Sequence, residues 1–256
     1  MTVGHQASRP RGRYQRRGVA SAAAALRDLL RTKILLGHYD GRPLPDEAEL
    51  QRAHGASRGA VRAALALLRD EGLIERYQGS GTFVVAQKAN HRFDELRGLR
   101  SRQRVSHEVL AREVLPAPDI VAQLLAVEPG SRVLRLDRRT VAAGEPVGLW
   151  TNYLPIRIGR RFTDPAVDLS GEYYHALEHV LALPVAYATL TTEAVPADPV
   201  VAARLRVPVG MPLLRLERVV YVRGDRPVDF GIGRLRGDRL RISGTQVRHR
   251  PRLAAA

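Results

Sequence analysis

The chain has 256 residues, no cysteine and a formal net charge of +15, and its length favours two domains. Without cysteine it has no disulfide, no thiolate metal ligand and no thiol nucleophile, and we expect a cytoplasmic protein. It has no run of 18 apolar residues, so we expect no membrane-spanning helix. Arg16 and Arg17 precede an apolar stretch, as in a twin-arginine export signal, but Arg27 and Asp28 interrupt that stretch. We therefore predict no export signal.

The positive charge favours an anionic partner, and nucleic acid is the most common one for a basic protein. Arginine carries nearly all of this charge, since Lys33 and Lys88 are the only lysines. Residues 1–17 hold five arginines and no acidic residue. From charge alone, a solvated basic surface is the alternative interpretation.

A first helix is predicted from the spacing of apolar residues, and Gly37 is expected to end it. The apolar positions recur every three or four residues, which places them on one helix face. They are Val19, Ala22, Ala23, Leu26, Leu29, Leu30 and Ile34.

Two shorter helices follow. Asp46 and Glu49 form a capping-box pattern at the start of a second helix, which should end at Gly55. Ser57 is expected to cap a third helix, and Gly72 to end it. The inward-facing positions predicted for the third helix are Val61, Ala64, Leu65 and Leu68.

The next segment, "LIERYQGSGTFVV", predicts two short strands around a glycine-rich tip. Three helices followed by a hairpin are typical of a winged helix-turn-helix. In that fold the third helix enters the major groove of DNA, where Arg58 and Arg62 would face outward one turn apart. Gly79 and Gly81 would let backbone N–H groups of the wing approach a phosphate closely.

The segments "LPDEAEL", "GASRGAVRAALALLRDEGLIER" and "GSGTFV" resemble the DNA-binding domain of GntR-type bacterial transcription regulators over residues 19–85. This resemblance implies that the following residues contact DNA: Ser57, Arg58, Arg62, Gln78 and Gly79. The family often has arginine at the position of Ala48 and hydroxyl residues at the positions of Gly59 and Ala60, so the resemblance does not carry these phosphate contacts over to this chain.

Four regions are expected along the chain. Residues 1–17 form a basic, disordered tail, with a minor-groove arm as the alternative. Residues 18–86 form the winged domain, and the polar, basic segment 87–106 is a partly helical linker. Residues 107–248 form a second domain.

The second domain contains an internal repeat. Residues 121–144 and 201–224 align at an offset of 80, with ten identities in 24 positions. Each copy predicts a helix, a glycine turn, a long strand and a return strand. The repeat therefore predicts an α+β fold in which two pseudo-symmetric halves form one antiparallel sheet with flanking helices.

This domain resembles the UTRA effector-binding domain of the HutC-type branch of the same family, over residues 107–245. The likeness lies in "VEPGSRVLRLDRRTVAAGEPVGLWTNYLP", "DLSGEYYHALEHVLALPV" and "GMPLLRLERVVYVRGDRPVDF". It implies a chorismate-lyase-like antiparallel sheet that binds a small metabolite and pairs two subunits. It does not imply lyase activity.

The resemblance also implies an effector pocket. Relatives that sense phosphorylated sugars offer a serine at the start of the middle helix, where helix N–H groups favour an anion. Here that position is Glu172, whose charge would repel phosphate, so we expect an effector other than a phosphosugar. The residues predicted to contact it are Arg138, Trp150, Glu172, Tyr174 and Asp229.

His175, Glu178 and His179 form an H-x-x-E-H pattern, which is also the inverted zinc-binding motif of some hydrolases. The pattern is short, lies in a helix rich in alanine and leucine, and has no identifiable third ligand. A zinc hydrolase is therefore a remote alternative, and we predict no metal, no cofactor and no enzymatic activity.

Together the two resemblances imply a homodimeric transcription regulator that binds double-stranded DNA at a palindromic operator. We expect a repressor that a small-molecule effector releases. The alternative is a constitutive dimeric repressor, such as a plasmid-maintenance protein, whose second domain only pairs the subunits.

Overall fold

The computed structural model describes residues 11–85, 88–92, 95–98 and 104–245, with side chains of the first helix from Val19 onward. Contacts divide the chain into two compact units, Met1–Gln87 and Lys88–Ala256. No helix within the described ranges is long and apolar enough to cross a membrane.

The first unit consists of three helices and a hairpin. The helices are α1 (Arg11–Leu35), α2 (Glu47–His54) and α3 (Arg58–Asp70), and the strands are β1 (Ile74–Tyr77) and β2 (Gly81–Val84). The predicted capping box of α2 is confirmed: the Asp46 carboxylate accepts from the Glu49 N–H at 2.7 Å, and the Glu49 carboxylate accepts from the Asp46 N–H at 2.9 Å. This arrangement satisfies backbone N–H groups that the first helical turn leaves without partners.

The core of this unit lies between α1 and α3. All four inward-facing positions predicted for α3 are buried. Leu26, Leu30 and Ile34 of α1 pack against them. Arg27 and Arg31 also pair with Glu71, just after α3, at 2.8 and 3.0 Å.

The prediction for α1 is wrong in two respects. The helix begins at Arg11, so residues 11–17 of the predicted disordered tail are helical, while residues 1–10 lie outside the described part. The sequence allows this extension of the helix, because no proline follows Pro10 in this segment and a glycine costs a helix only about 1 kcal/mol. On the predicted apolar face, Val19, Ala22 and Leu29 are exposed, because the buried stripe is narrower than the pattern indicates.

The second unit is built on a six-stranded antiparallel sheet with the strand order β4-β5-β6-β9-β8-β7. A separate pair, β3 and β10, is parallel. The strands are β3 (Ala89–Arg92), β4 (Val105–Pro116), β5 (Arg132–Ala142), β6 (Glu145–Pro155), β7 (Val185–Pro196), β8 (Pro212–Val222), β9 (Arg226–Arg236) and β10 (Leu240–Ser243).

The predicted internal symmetry is confirmed. Helix α4 (Asp119–Leu124) precedes β5 and β6 in the first half, and α7 (Pro199–Leu205) precedes β8 and β9 in the second. The return strands β6 and β9 meet at the centre of the sheet. Strands β5 and β8 are separated by the same 80-residue offset as the repeat, so Arg138 on β5 and Arg218 on β8 occupy equivalent positions.

The segment that connects the two halves covers one face of the sheet. It contains α5 (Ile156–Gly159), a 3₁₀ turn (Arg160–Thr163), α6 (Tyr173–His175) and a π-helical turn (Ala176–Val180). Its apolar side chains, including Phe162 and Leu177, pack against Leu134, Leu136 and Leu154 of the sheet.

The linker predicted for residues 87–106 is wrong for much of its described part. Ala89 and His91 are buried, and their strand β3 pairs with β10 from the far end of the unit. Strand β4 also begins at Val105, inside the predicted linker. The sequence "ANHR" has no β-branched residue, so pairing with a distant segment rather than local propensity makes it a strand.

Candidate functional sites

The N-terminal end of α3 presents the residues predicted to contact DNA. Ser57 caps the helix, because its Oγ accepts from the Ala60 N–H at 3.3 Å. Arg58 is the first residue of the helix and Arg62 lies one turn after it, and both are exposed. The Arg58 side chain is 75% exposed, and its described ionic partner is Glu47 at 3.7 Å. Both guanidinium groups are therefore accessible.

The hairpin tip carries the other two predicted contacts. Gln78 and Gly79 are exposed between β1 and β2. Gly79 has a φ of 77°, a backbone conformation that glycine adopts without a steric penalty. The tip therefore offers bare backbone at the end of the hairpin.

Helix α3, the start of α2 and the hairpin enclose a groove of about 910 Å³. Arg58 and Arg62 line it, and so do Arg69 and Arg76. The sequence does not single out the last two as contacts. Arg69 nevertheless follows Arg62 by seven residues, or about two helical turns, which places it on the same face.

Pairing divides the arginines of the first unit into two groups. Arg27 and Arg31 are held by Glu71, and Arg42 donates to the His38 carbonyl. Within the described residues, Arg62, Arg69 and Arg76 have no hydrogen-bond or ion-pair partner, and neither has Arg52, which lies outside the groove. Three unpaired cations thus line one groove.

A second site lies on the face of the sheet that carries Arg138 and Arg218, and it encloses a cavity of about 30 Å³. A cavity of this size has room for water but not for a metabolite. The lining residues come from β3, β4, β5, β6, β8, α6 and the segment 95–98. They are His91, Arg97, Gly98, His107, Arg138, Trp150, Tyr173, Tyr174 and Arg218.

Arg138 is almost fully buried beside this cavity, with 2% of its surface exposed. Its Nη2 donates to the Asn152 amide oxygen at 3.0 Å, while Nε and Nη1 have no hydrogen-bond partner among the described residues. Burial lowers the pKa of Arg138 to about 10, so the side chain is still protonated at neutral pH. A buried cation whose hydrogen-bond partner is a neutral amide is costly.

Asp229 lies behind the cavity and is fully buried. It accepts from the Tyr173 hydroxyl at 2.7 Å and from the Asn152 amide at 2.9 Å, and Arg218 approaches it at 3.5 Å. Burial raises the pKa of Asp229, and Arg218 opposes this shift. All of these groups donate to the carboxyl group, as an ionised carboxylate requires. Among the buried groups, two guanidinium groups and one carboxylate leave an excess of one positive charge, and the exposed Arg97 adds a further cation to the lining.

Aromatic rings form the walls of the cavity. The Arg138 guanidinium carbon lies 3.8 Å from the centroid of the Tyr173 ring, and that of Arg218 lies 4.6 Å from the Tyr174 ring. Trp150 lies directly over Gly233, where an added Cβ atom would come within 2.8 Å of the indole. These contacts are cation–π interactions and close packing rather than compensation of charge.

Two histidines beside the cavity are neutral. The pKa values of His91 and His107 are both lowered to about 4, chiefly by burial and then by the charges of Arg218 and Arg138 respectively. His107 Nδ1 lies 3.0 Å from the Thr140 hydroxyl, whereas His91 Nδ1 has no described partner.

The structure brings together four of the five predicted effector contacts. Arg138, Trp150 and Tyr174 line the cavity, and Asp229 supports it from behind. Glu172 is exposed and does not line the cavity, because its carboxylate accepts from the Gly98 N–H.

Other members of the site are not predicted from the sequence. Arg218 could have been found from the internal repeat, since it lies 80 residues after Arg138. Tyr173, Asn152 and His91 have no comparable signal.

The three residues of the H-x-x-E-H pattern are not among the residues that line the cavity. His175 and His179 are exposed, and their ring centroids lie 4.1 Å apart. Among the described residues there is no cluster of three or more potential metal ligands.

Lowering the pH from 7 to 5 should destabilise the second unit. The unfolded chain binds protons at both histidines near pH 6.5, whereas the folded pKa values of His91 and His107 are about 4. The unfolded state therefore holds more protons in this window, and the free energy of unfolding falls as the pH falls. Each histidine contributes at most about 1.4 kcal/mol per pH unit.

Thermal melts between pH 5 and 7 measure this dependence. His91→Gln and His107→Gln should each flatten it, while the exposed control His175→Gln should keep the wild-type slope. Wild-type slopes in both buried-site variants would show that these histidines do not cause the effect.

Comparisons with known proteins agree on one family. The model of the bacterial regulatory proteins of the gntR family matches residues 22–84, and the UTRA domain model matches residues 100–241. The HTH-type transcriptional regulator Rv0792c of Mycobacterium tuberculosis is 32% identical over 252 residues, covering 92% of this chain and 89% of that protein. The Escherichia coli repressor MngR, of the mannosyl-D-glycerate transport/metabolism system, is 32% identical over 159 residues, covering 60% of this chain and 65% of that protein.

Among solved structures, PhnF from Mycobacterium smegmatis has a TM-score of 0.61 and 25% identity. The match covers 87% of this chain and 99% of that one. The chain therefore belongs to the GntR family of bacterial regulatory proteins, carries a UTRA domain, and is a DNA-binding transcriptional regulator rather than an enzyme.

Proposed function

We propose that the protein is a homodimeric repressor that binds a two-fold symmetric operator, one winged unit per half-site, and leaves it when a small molecule binds the second unit. The observation that carries the effector part of this proposal is the buried guanidinium group of Arg138, whose described hydrogen-bond partner is a neutral amide, beside a cavity. Two relatives, MngR and NagR, are named as repressors. Two-fold symmetry is the most common arrangement of oligomers, and it matches a palindromic site.

Each predicted DNA contact has a distinct role. Arg58 and Arg62 enter the major groove, where arginine pairs with guanine through two hydrogen bonds. Ser57 fixes the first turn of α3 and so orients both arginines. Gln78 and Gly79 at the hairpin tip approach the adjacent minor groove and its phosphates.

Arg69 and Arg76 extend this interface. When α3 occupies the major groove and the hairpin the neighbouring minor groove, the DNA backbone between them runs through the groove that separates α3 from the hairpin. Arg69 and Arg76 line that groove without a protein partner, so they neutralise phosphates rather than read bases. They compensate for the phosphate contacts that Ala48, Gly59 and Ala60 do not make.

The cavity favours a ligand-responsive regulator over a constitutive one. A domain that only pairs subunits gains nothing from burying Arg138 beside a neutral amide, and a buried unpaired charge is destabilising. Uncompensated buried charge of this kind is typical of binding sites. The plasmid-maintenance alternative does not explain it.

The charge of the cluster indicates the chemistry of the effector. A single carboxylate would balance the one excess positive charge of the buried groups, whereas a phosphate monoester carries about −1.5 to −2 at neutral pH. The rings of Trp150, Tyr173 and Tyr174 suit an apolar or planar body. We therefore propose a small carboxylate with an apolar part, and not a phosphosugar.

Removing the recognition arginines tests the DNA-binding mode. Arg58→Ala and Arg62→Ala should each weaken operator binding by about 5- to 150-fold, because each loses a base contact worth about 1–3 kcal/mol. Fluorescence anisotropy with the DNA that the protein protects beside its own gene measures this loss, and the protected region should contain two symmetric half-sites. Arg52→Ala, an exposed arginine on α2, is the control. Unchanged affinity in both α3 variants would refute this placement of the helix.

Arg69→Ala and Arg76→Ala should behave differently. Each should lower affinity for operator and for unrelated DNA alike, and each should reduce the salt dependence of binding, log Kd against log salt, by about one unit. The measurement is a set of DNA titrations at four salt concentrations. If Arg76→Ala has the same slope as Arg52→Ala, the backbone does not run through this groove.

A thermal-shift screen tests the effector class. Small aromatic or apolar carboxylates should include compounds that raise the melting temperature, and the same compounds should lower operator affinity. Stabilisation by phosphosugars alone would contradict the proposed chemistry. If no compound both stabilises the protein and changes operator affinity, the constitutive alternative is favoured.

A further inference from the structure

We propose that residues 95–98 form a cover over the effector pocket and that Glu172 is the positioning residue that holds this cover closed. The inference rests on the proposed role of the pocket. It gives Glu172 a task other than direct contact with the effector.

The cavity has to open before it can bind a metabolite. Its volume is about 30 Å³, whereas sites for small ligands usually enclose about 300 Å³ or more. Part of the lining must therefore move when a ligand enters.

The lining itself indicates which part moves. Among the described lining residues, Arg97 and Gly98 lie outside helices and strands, and the other seven belong to paired strands or to α6. Moving any of those seven would disrupt hydrogen bonds of the sheet or the packing of the helix on it. Moving the segment 95–98 leaves the strand pairing of the sheet and the packing of α6 in place.

The contacts that hold this segment in place include the following three. Arg92 Nε pairs with the Glu95 carboxylate at 3.0 Å, and Leu96 packs against the apolar cluster beside the cavity. The third is the hydrogen bond from the Gly98 N–H to the Glu172 carboxylate. It is the contact that joins the cover to the opposite rim of the pocket, at the start of α6.

The position of Glu172 supports this role. It is the N-cap residue of α6, where a side chain usually accepts from the first N–H groups of its own helix. Glu172 makes no such bond. Its carboxylate is used for the contact with Gly98.

The absence of a side chain at Gly98 leaves room for the same contact. A Cβ atom added there would lie 2.8 Å from Glu172 Cγ and 3.5 Å from its Cδ. A side chain at this position would therefore displace Glu172 and break the contact. Glu172→Ala, which removes the carboxylate, and Gly98→Ala, which adds a methyl group, should therefore each break this contact.

Trp150 allows a test that needs no effector. It is the only tryptophan of the chain, it lines the cavity, and it is 7% exposed. Quenching of its fluorescence by acrylamide in the full-length protein therefore reports how often the pocket opens. Loss of one hydrogen bond should raise the quenching constant about fivefold.

Glu172→Ala and Gly98→Ala should both show this rise. Glu172→Gln keeps an oxygen acceptor, so its quenching constant should be near that of the wild type. If only the charge of Glu172 mattered, glutamine would not restore this value. Glu178→Ala removes an exposed carboxylate from the neighbouring helical turn and is the matched control. Circular dichroism confirms that each variant is folded.

Wild-type quenching in folded Glu172→Ala and Gly98→Ala would overturn the proposal. If only one of the two folds, that variant alone decides the outcome. The test of the proposed function is separate. If the thermal-shift screen finds no effector, ligand control is refuted even if Trp150 becomes accessible in the variants. If an effector is found but the variants show no change in quenching, only the cover is refuted.

Discussion

The guanidinium group of Arg138 constrains the second unit more than any other group. It is buried, its described hydrogen-bond partner is the neutral amide of Asn152, and the nearby carboxylate of Asp229 is shared with Arg218. A fold does not gain stability from such an arrangement. The charge is therefore best understood as part of a binding site, and the aromatic walls, the neutral histidines and the small cavity surround it.

The duplicated sequence explains how this site arises. Each half supplies one strand with an arginine at the equivalent position, and the two halves meet at β6 and β9, so both arginines reach the same cavity. The halves then differ in what they add. Asp229 in one half and Asn152 in the other lie between the two arginines and make the site asymmetric. An asymmetric ligand suits such a pocket.

Much of this follows from the sequence because it is encoded locally. The capping box at Asp46, the Ser57 cap, the buried face of α3 and the antiparallel halves all depend on short-range patterns or on the repeat. His91 and Gly98 could not be placed in this way, since they reach the pocket through pairing of β3 with β10 and through a contact with Glu172, more than 70 residues away. The prediction for Leu29, which is exposed, is wrong for a related reason. The spacing of apolar residues predicts a helix face, but the surface that packs against the helix decides how much of that face is buried.

Release of DNA by an effector requires coupling between the two units. If an effector that opens the pocket also releases DNA, linkage requires that DNA closes the pocket. The most direct measurement is acrylamide quenching of Trp150 during a titration with operator DNA, with an unrelated duplex of equal length as the control. The quenching constant should fall in step with operator occupancy and change less with the control duplex. A constant that stays the same as the operator saturates would show that the two units are not coupled.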